Sequence, residues 1–211
     1  MRVKRKALER LLEGVPSFPR PKLKYEQYVI PSWLATDLLW IAETAYGDIC
    51  GMRVLDLGTG TGRLALGAAL MGADYVIGVD VDIDAIKLAK AYVSRNFPQL
   101  TNLDFICIDV NDFSPRSEWR FDTAVQNPPF GVHKKGYDVM FLRNALRLAR
   151  VTYSIHKSRT RDFILSFLNR HYRCKVTVIF ETKIPIPPIY EFHEKRVHLV
   201  DVDVIRVELL D

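Results

Sequence analysis

The stretch Val54-Leu55-Asp56-Leu57-Gly58-Thr59-Gly60-Thr61-Gly62 constrains this chain more than any other. An apolar run reaching Asp56 reads as a buried strand, and Leu64 to Leu70 after it reads as a helix. Gly58, Gly60 and Gly62 permit a tight turn and a close approach of backbone to a ligand. Strand, glycine turn and helix in that order open a βαβ unit, so a mostly parallel sheet covered by helices is expected. The spacing is G-x-G-x-G, which differs from the G-x-G-x-x-G of dinucleotide folds. The pattern then recurs. Tyr75 to Asp80 is a second strand ending in an acid, 18 residues past Gly62. That is near the roughly 20 expected of a ribose-binding carboxylate. Leu103 to Ile108 is a third strand, ending at Asp109, where an acid can accept from an amino group. One such Asp alone would read as a helix cap or turn residue. Three in order at strand ends do not arise easily by chance.

A fourth strand, Phe121 to Val125, runs into Asn127-Pro128-Pro129-Phe130. Proline has no backbone N–H, so the ladder stops and the chain leaves the sheet. An amide and an aromatic ring are thereby held on a stiff turn at a strand's carboxyl end, the edge where open α/β sheets bind ligands. Asn127 offers a carbonyl acceptor, and the prolines leave backbone carbonyls free. Acceptors facing an amino group, with a flat ring against its heterocycle, suit alkylation of an exocyclic amine. Strand-end acids and a glycine loop without a phosphate-binding lysine describe a nucleoside cofactor that lacks a pyrophosphate.

Charge is unevenly placed. Residues 1–24 hold eight Lys and Arg against two Glu, a net +6, and residues 133–175 hold eleven against two Asp, a net +9. The remainder is acidic, so two basic segments, one just after Phe130, suit a polyanion crossing the site. With 211 residues, 48% of them hydrophobic, one domain with a good core is expected over 25–211, preceded by a basic helix and connector over 1–24. In that first segment Arg2 to Glu13 reads as an amphipathic helix with Val3, Ala7, Leu8, Leu11 and Leu12 on one side. Gly14 to Lys24 reads as a connector that Phe18 anchors. The helix has two readings, gripping a polyanion or packing on the body. Ser32 to Ala45 reads as a helix, Asp82 as the start of another, and Cys174–Thr182 and Val200–Val207 as two late strands around a proline-stiffened loop, Ile184 to Tyr190. No apolar run reaches the roughly 18 residues of a membrane span. Cys50, Cys107 and Cys174 are isolated, as free thiols in a reducing cytoplasm would be. His193 and His198 are not spaced with cysteines as zinc ligands are, so no metal is expected.

The acids and the glycine loop resemble the class I S-adenosylmethionine-dependent methyltransferases. Glu26-Gln27-Tyr28, Asn127-Pro128-Pro129-Phe130-Gly131, His156-Lys157-Ser158 with Thr160-Arg161, and Phe192-His193 narrow the resemblance. They are similar to segments of the methyltransferase-like protein 5 family, the ribosomal RNA N6-adenosine methyltransferases of archaea and eukaryotes, from about Tyr25 to Arg206. The resemblance implies a Rossmann-like α/β fold. Its seven-stranded sheet would be mostly parallel, with an antiparallel C-terminal strand and helices on both faces. It implies S-adenosyl-L-methionine, with Asp56, Gly58, Thr59, Gly60 and Gly62 at the methionine end, Asp80 and Val81 at the ribose, and Asp109 and Val110 at the adenine. Asn127, Pro128, Pro129 and Phe130 would carry the chemistry, with Asn127 also touching the cofactor and Gln27 and Tyr28 closing over cofactor or base. RNA would meet Lys134, Lys135, His156, Lys157 and Arg159. The family also implies a small zinc-binding activator protein, which strand addition near Val200 would accommodate. One departure stands out: the family usually follows Glu-Gln-Tyr with x-Thr, and here Val29-Ile30 follows. The same motif would also serve a DNA adenine or a protein glutamine amide. A non-catalytic RNA-binding subunit would keep the charge, but the intact Asn127, Asp56, Asp80 and Asp109 speak against it.

Overall fold

The computed structural model describes residues 3–116, 120–131, 136–186 and 198–210. The chain begins with α1 (Arg5–Glu13) and α2 (Ser32–Tyr46), then alternates β1 (Arg53–Leu57), α3 (Arg63–Leu70), β2 (Tyr75–Asp80), α4 (Ile83–Asn96) and β3 (Leu103–Cys107). β4 (Phe121–Gln126), α5 (Tyr137–Leu148), β5 (Ala149–Lys157), α6 (Arg161–His171), β6 (Cys174–Ile186) and β7 (His198–Leu209) complete it. The strands form one sheet in the order β3-β2-β1-β4-β5-β7-β6. β1 to β5 pair in parallel, and β7 runs antiparallel to both of its neighbours. The expected mostly parallel sheet with an antiparallel C-terminal strand is what forms.

The central strands are apolar on both faces because helices cover both. Val54, Val76 and Val125 pack with α1 to α4 in one cluster. Their neighbours Leu55, Leu57, Val79 and Ala124 pack with Phe141 and Ala145 of α5 in another. Leu142 and Leu146 join Ile164 and Leu168 of α6 against β7 in a third.

The N-terminal helix packs on the body. Leu8 and Leu12 are fully buried in the same cluster as the sheet, while Ala7 faces solvent, so the apolar stripe is narrower than expected. A β-carbon at Gly67 would lie 2.4 Å from Leu39 Cδ1 and 3.2 Å from Leu12 Cδ1. A side chain at Gly67 would force these leucines of α1 and α2 to shift away from α3. Arg5 of α1 adds an ion pair to Asp37 of α2.

Two details depart from the sequence reading. β6 continues past Thr182 through Ile186, so Ile184 to Ile186 belong to a strand, with Pro185 opposite Leu199. Proline is tolerated there because β6 is a sheet edge, where an N–H on the outer side has no ladder partner to lose. Val200 pairs with Ile184 in β7, which lies between β5 and β6. β7 is therefore not an outer strand of the sheet, whose edges are β3 and β6, although β5 pairs with it only as far as Val202. Among the described residues, no helix is long and apolar enough to cross a membrane.

Leu12→Ala is expected to cost about 2–5 kcal/mol in denaturant-induced unfolding, as for other fully buried leucines. A loss below about 1 kcal/mol would show that α1 is not integral to the core.

Candidate active site

Parallel pairing in the order β3-β2-β1-β4 aligns the carboxyl ends of four strands. Asp109, Asp80, Asp56 and Asn127 follow one another along that edge and line one cleft, with Gly58, Thr59, Gly60, Val81, Val110, Pro128 and Pro129. Gly58 and Gly60 have φ of 68° and 55°, a region that side chains resist. A β-carbon at Gly58 would lie 2.8 Å from the Phe141 ring, and one at Gly60 3.0 Å from Phe18. Gly62 departs from expectation. It precedes α3 at φ 91°, is not on the cleft wall, and a β-carbon there would meet the Phe105 ring at 2.8 Å. Its lack of a side chain lets the loop pack closely on the Phe105 ring.

Asp56 is almost fully buried. Its Oδ2 accepts from Thr59 Oγ1 at 2.6 Å and from the Ala65 amide at 2.9 Å, while Oδ1 has no partner among the described residues. Burial pushes this carboxyl up to about 7, against the pull of those two hydrogen bonds. An unpartnered carboxylate oxygen on a cleft wall is what an ammonium group requires. Asp80 is clamped: Oδ2 accepts from the Gly60 amide and Oδ1 from the Asp82 amide, both at 2.8 Å. Each oxygen keeps a lone pair, so a fixed carboxylate faces the cleft where two neighbouring hydroxyls could donate. Burial raises Asp80 above the usual carboxylate range. Asp109 Oδ1 is engaged by the backbone and side-chain nitrogens of Asn111, both at 2.9 Å. Its turn role and its place on the cleft wall therefore coexist. This set of acceptors fits S-adenosylmethionine, an amino-acid arm joined to a nucleoside.

The connector before α2 is laced onto this edge. Gln27 accepts from the Lys22 amide at 2.8 Å and donates to Asp82 Oδ2 at 2.6 Å. Both ends of its side chain are taken, so Gln27 is a wall of the cleft. Lys22 Nζ sits between Asp82 Oδ1 at 2.6 Å and Asp84 Oδ2 at 2.7 Å. The Arg63 guanidinium donates to the carbonyls of Ile30 and Val15. The Ile30 side chain is buried in the core, so the position where the family carries Thr serves packing here. Sequence reading missed Arg63 and the latching role of Asp82. A lone cation opening an otherwise apolar helix, Arg63-Leu64-Ala65-Leu66, was the available signal for the first. The second depends on partners 60 and 55 residues away.

At the other end, Asn127 Oδ1 accepts from the Tyr28 hydroxyl at 2.9 Å. The Phe130 ring lies 5.8 Å from that of Tyr28, tilted by 33°, and Lys157 Nζ sits 5.1 Å from its centroid. Phe130 thus packs against Tyr28, a residue of the cleft wall. Of the residues expected to meet RNA, Lys134 and Lys135 lie outside the described residues, as does Phe192-His193-Glu194-Lys195. Arg159 is exposed and Lys157 half-buried. His156 corrects the expectation. It is 2% exposed, its Nε2 bonds Ser154 Oγ at 2.8 Å, and burial pushes it down to about 4. A buried neutral imidazole does not bind phosphate by charge. The rest of its motif is a clamp: Ser158 and Arg161 converge on the buried Asp203 at 2.6 and 2.7 Å, fixing the turn that carries Lys157 and Arg159.

The cleft and the sheet define a class I methyltransferase, and a model of the methyltransferase domain matches residues 50–164. The rRNA N(6)-adenosine-methyltransferase METTL5 of Danio rerio is 36% identical over 97% of this chain and 98% of its own. The Drosophila melanogaster protein of that name is also 36% identical, over 99% and 98%. A crystal structure of a candidate RNA methyltransferase from Pyrococcus horikoshii is 37% identical, superposes with a TM-score of 0.87 and covers all of both chains. This chain belongs to the methyltransferase-like 5 family.

Asp56 generates a pH prediction for the ligand-free protein. Its folded pKa, about 7, lies above the ordinary 3.8, so the folded state holds that proton more tightly. The resulting stability is fully present below pH 3.8 and is lost as pH rises through about 7. Asp56→Asn should flatten this fall in urea unfolding measured between pH 4 and 8. Parallel curves for the two proteins would contradict a proton on Asp56.

Proposed function

We infer that the protein transfers the methyl group of S-adenosylmethionine to the N6 amino group of an adenosine in small-subunit ribosomal RNA. The observation that carries this is the Asn127 carbonyl, held at the proline-stiffened end of β4 in the same cleft as Asp56 and Asp80. Relatives named as rRNA N6-adenosine methyltransferases, 32–36% identical over nearly their whole length, support the substrate.

The cofactor supplies an electrophilic methyl group when bound. Asp56 would hold its ammonium, Asp80 its ribose hydroxyls and Asp109 its adenine edge. The chain's task is then alignment and charge placement. The lone pair of an adenine N6 is delocalised into the ring and is a poor nucleophile. Acceptors at Asn127 Oδ1 and the Pro128 carbonyl hold the two N6 protons, favour a more tetrahedral nitrogen and stabilise positive charge on it. The N-methylated amine then releases a proton to solvent, so no strong base is required. Phe130 provides the ring on which the base rests once Lys157 moves aside, and Lys157 and Arg159 meet phosphates. The adenosine must be unpaired to enter.

A partner completes the reading: a small zinc-binding activator protein, working with this chain in the cytoplasm. Of the two sheet edges, β3 fits strand addition, since Ile106 is exposed there with Val81 and Ile83 alongside. A chain that is monomeric, soluble and fully active alone would remove the partner.

The test of function is transfer of labelled methyl groups to undermethylated RNA, DNA and protein, followed by nucleoside mass analysis. N6-methyladenosine in small-subunit rRNA is expected; label in DNA or protein would move the target. Asn127→Ala should lower kcat by about 10²–10³-fold with cofactor affinity nearly intact. Asp80→Ala should weaken cofactor binding by about tenfold or more, the loss of a charge-assisted hydrogen bond. Wild-type turnover in Asn127→Ala would overturn the chemistry.

A further inference from the structure

Tyr28 stands 99 residues from Asn127 in sequence, yet its hydroxyl is the hydrogen-bond partner of the Asn127 carboxamide among the described residues. The segment carrying it spans both ends of the cleft. Gln27 is tied to Asp82, two residues beyond Asp80, and the next residue, Tyr28, is tied to Asn127. Glu26 adopts φ 52°, a left-handed conformation that a side chain makes costly. Arg63 pins the far side of the segment through the Ile30 carbonyl. The strained turn at Glu26 sends successive side chains to opposite ends of the site.

We propose that Tyr28 is a positioning residue for methyl transfer: its hydroxyl fixes the Asn127 carboxamide so that one lone pair of Oδ1 remains for the substrate's amino N–H. This rests on the reading of Asn127 as the amino-group acceptor. A carboxamide oxygen has two lone pairs, and Tyr28 takes one. The side chain follows the last residue of β4, where the ladder has ended, so without this bond its terminal torsion is broad. Burial pushes the Tyr28 hydroxyl well above its ordinary range, so it donates at every working pH. The ring's contact with Phe130 is separate from the hydroxyl's bond, which makes the two roles separable by substitution.

Tyr28→Phe keeps the ring and removes the bond. With asparagine side-chain nitrogens labelled, and the Asn127 signal assigned by its loss in Asn127→Ala, two readouts follow. In the ligand-free protein the Asn127 amide signals should shift and show faster motion in Tyr28→Phe. With S-adenosylmethionine and RNA, kcat should fall about tenfold while the cofactor Kd and the melting temperature stay at wild-type values. Unchanged Asn127 signals overturn the proposal whatever the substrate, because the hydroxyl then holds nothing. Shifted signals with an unchanged kcat also overturn it. A weakened cofactor Kd with unchanged kcat overturns it too and makes Tyr28 part of the cofactor wall. A wild-type protein that methylates a different amino group refutes the RNA assignment alone, and the same kcat comparison on that substrate still decides the role of Tyr28.

Discussion

Parallel pairing of β3, β2, β1 and β4 is the constraint from which the site follows. In a parallel sheet every strand ends at the same edge, so groups far apart in sequence become neighbours there. Adjacent strands lie about 4.8 Å apart, so the three steps from β3 to β4 span roughly 14 Å, the scale of an extended nucleoside with an amino-acid arm. Asp109, Asp80, Asp56 and Asn127 occupy that edge in spatial order. The order differs from the chain's, since β1 lies between β2 and β4. A site of this length needs each strand to end on time. Glycines end β1, a helix cap ends β2, and the two prolines end β4.

Burial then gives the acids distinct characters. Asp56 keeps an oxygen without a partner among the described residues and a raised pKa, so it gains most from a cation. Asp80 is held by two backbone amides and serves as a fixed acceptor. Asp109, exposed and half committed to its own turn, is the least specialised of the three. At the far end Tyr28 joins Asn127 by its hydroxyl and Phe130 by its ring, and Lys157 sits over Phe130.

Much of this was legible in sequence because it is local. Strand, glycine loop and helix are set by period and turn chemistry within a few residues, and the proline stop announces itself. What escaped depends on distant contacts. Nothing near His156 says that it is buried on β5 beside Ser154, so its charge was misjudged. Gly62 looks like its loop neighbours, but its φ and the Phe105 ring give it a packing role. Pro185 reads as a loop residue until the sheet order makes β6 an edge. The connector's ties to Asp82 and Asn127 span more than fifty residues and leave no periodic trace.

If the reading is right, one sheet edge holds both cofactor and acceptor base. The most direct measurement is a crystal structure with S-adenosylhomocysteine and an adenosine-containing rRNA fragment. The amino-acid ammonium is expected on Asp56 Oδ1, the ribose on Asp80, and the target N6 within hydrogen-bond reach of Asn127 Oδ1 and the Pro128 carbonyl. An adenine bound away from Asn127, or a cofactor whose ribose lies elsewhere than Asp80, would contradict it.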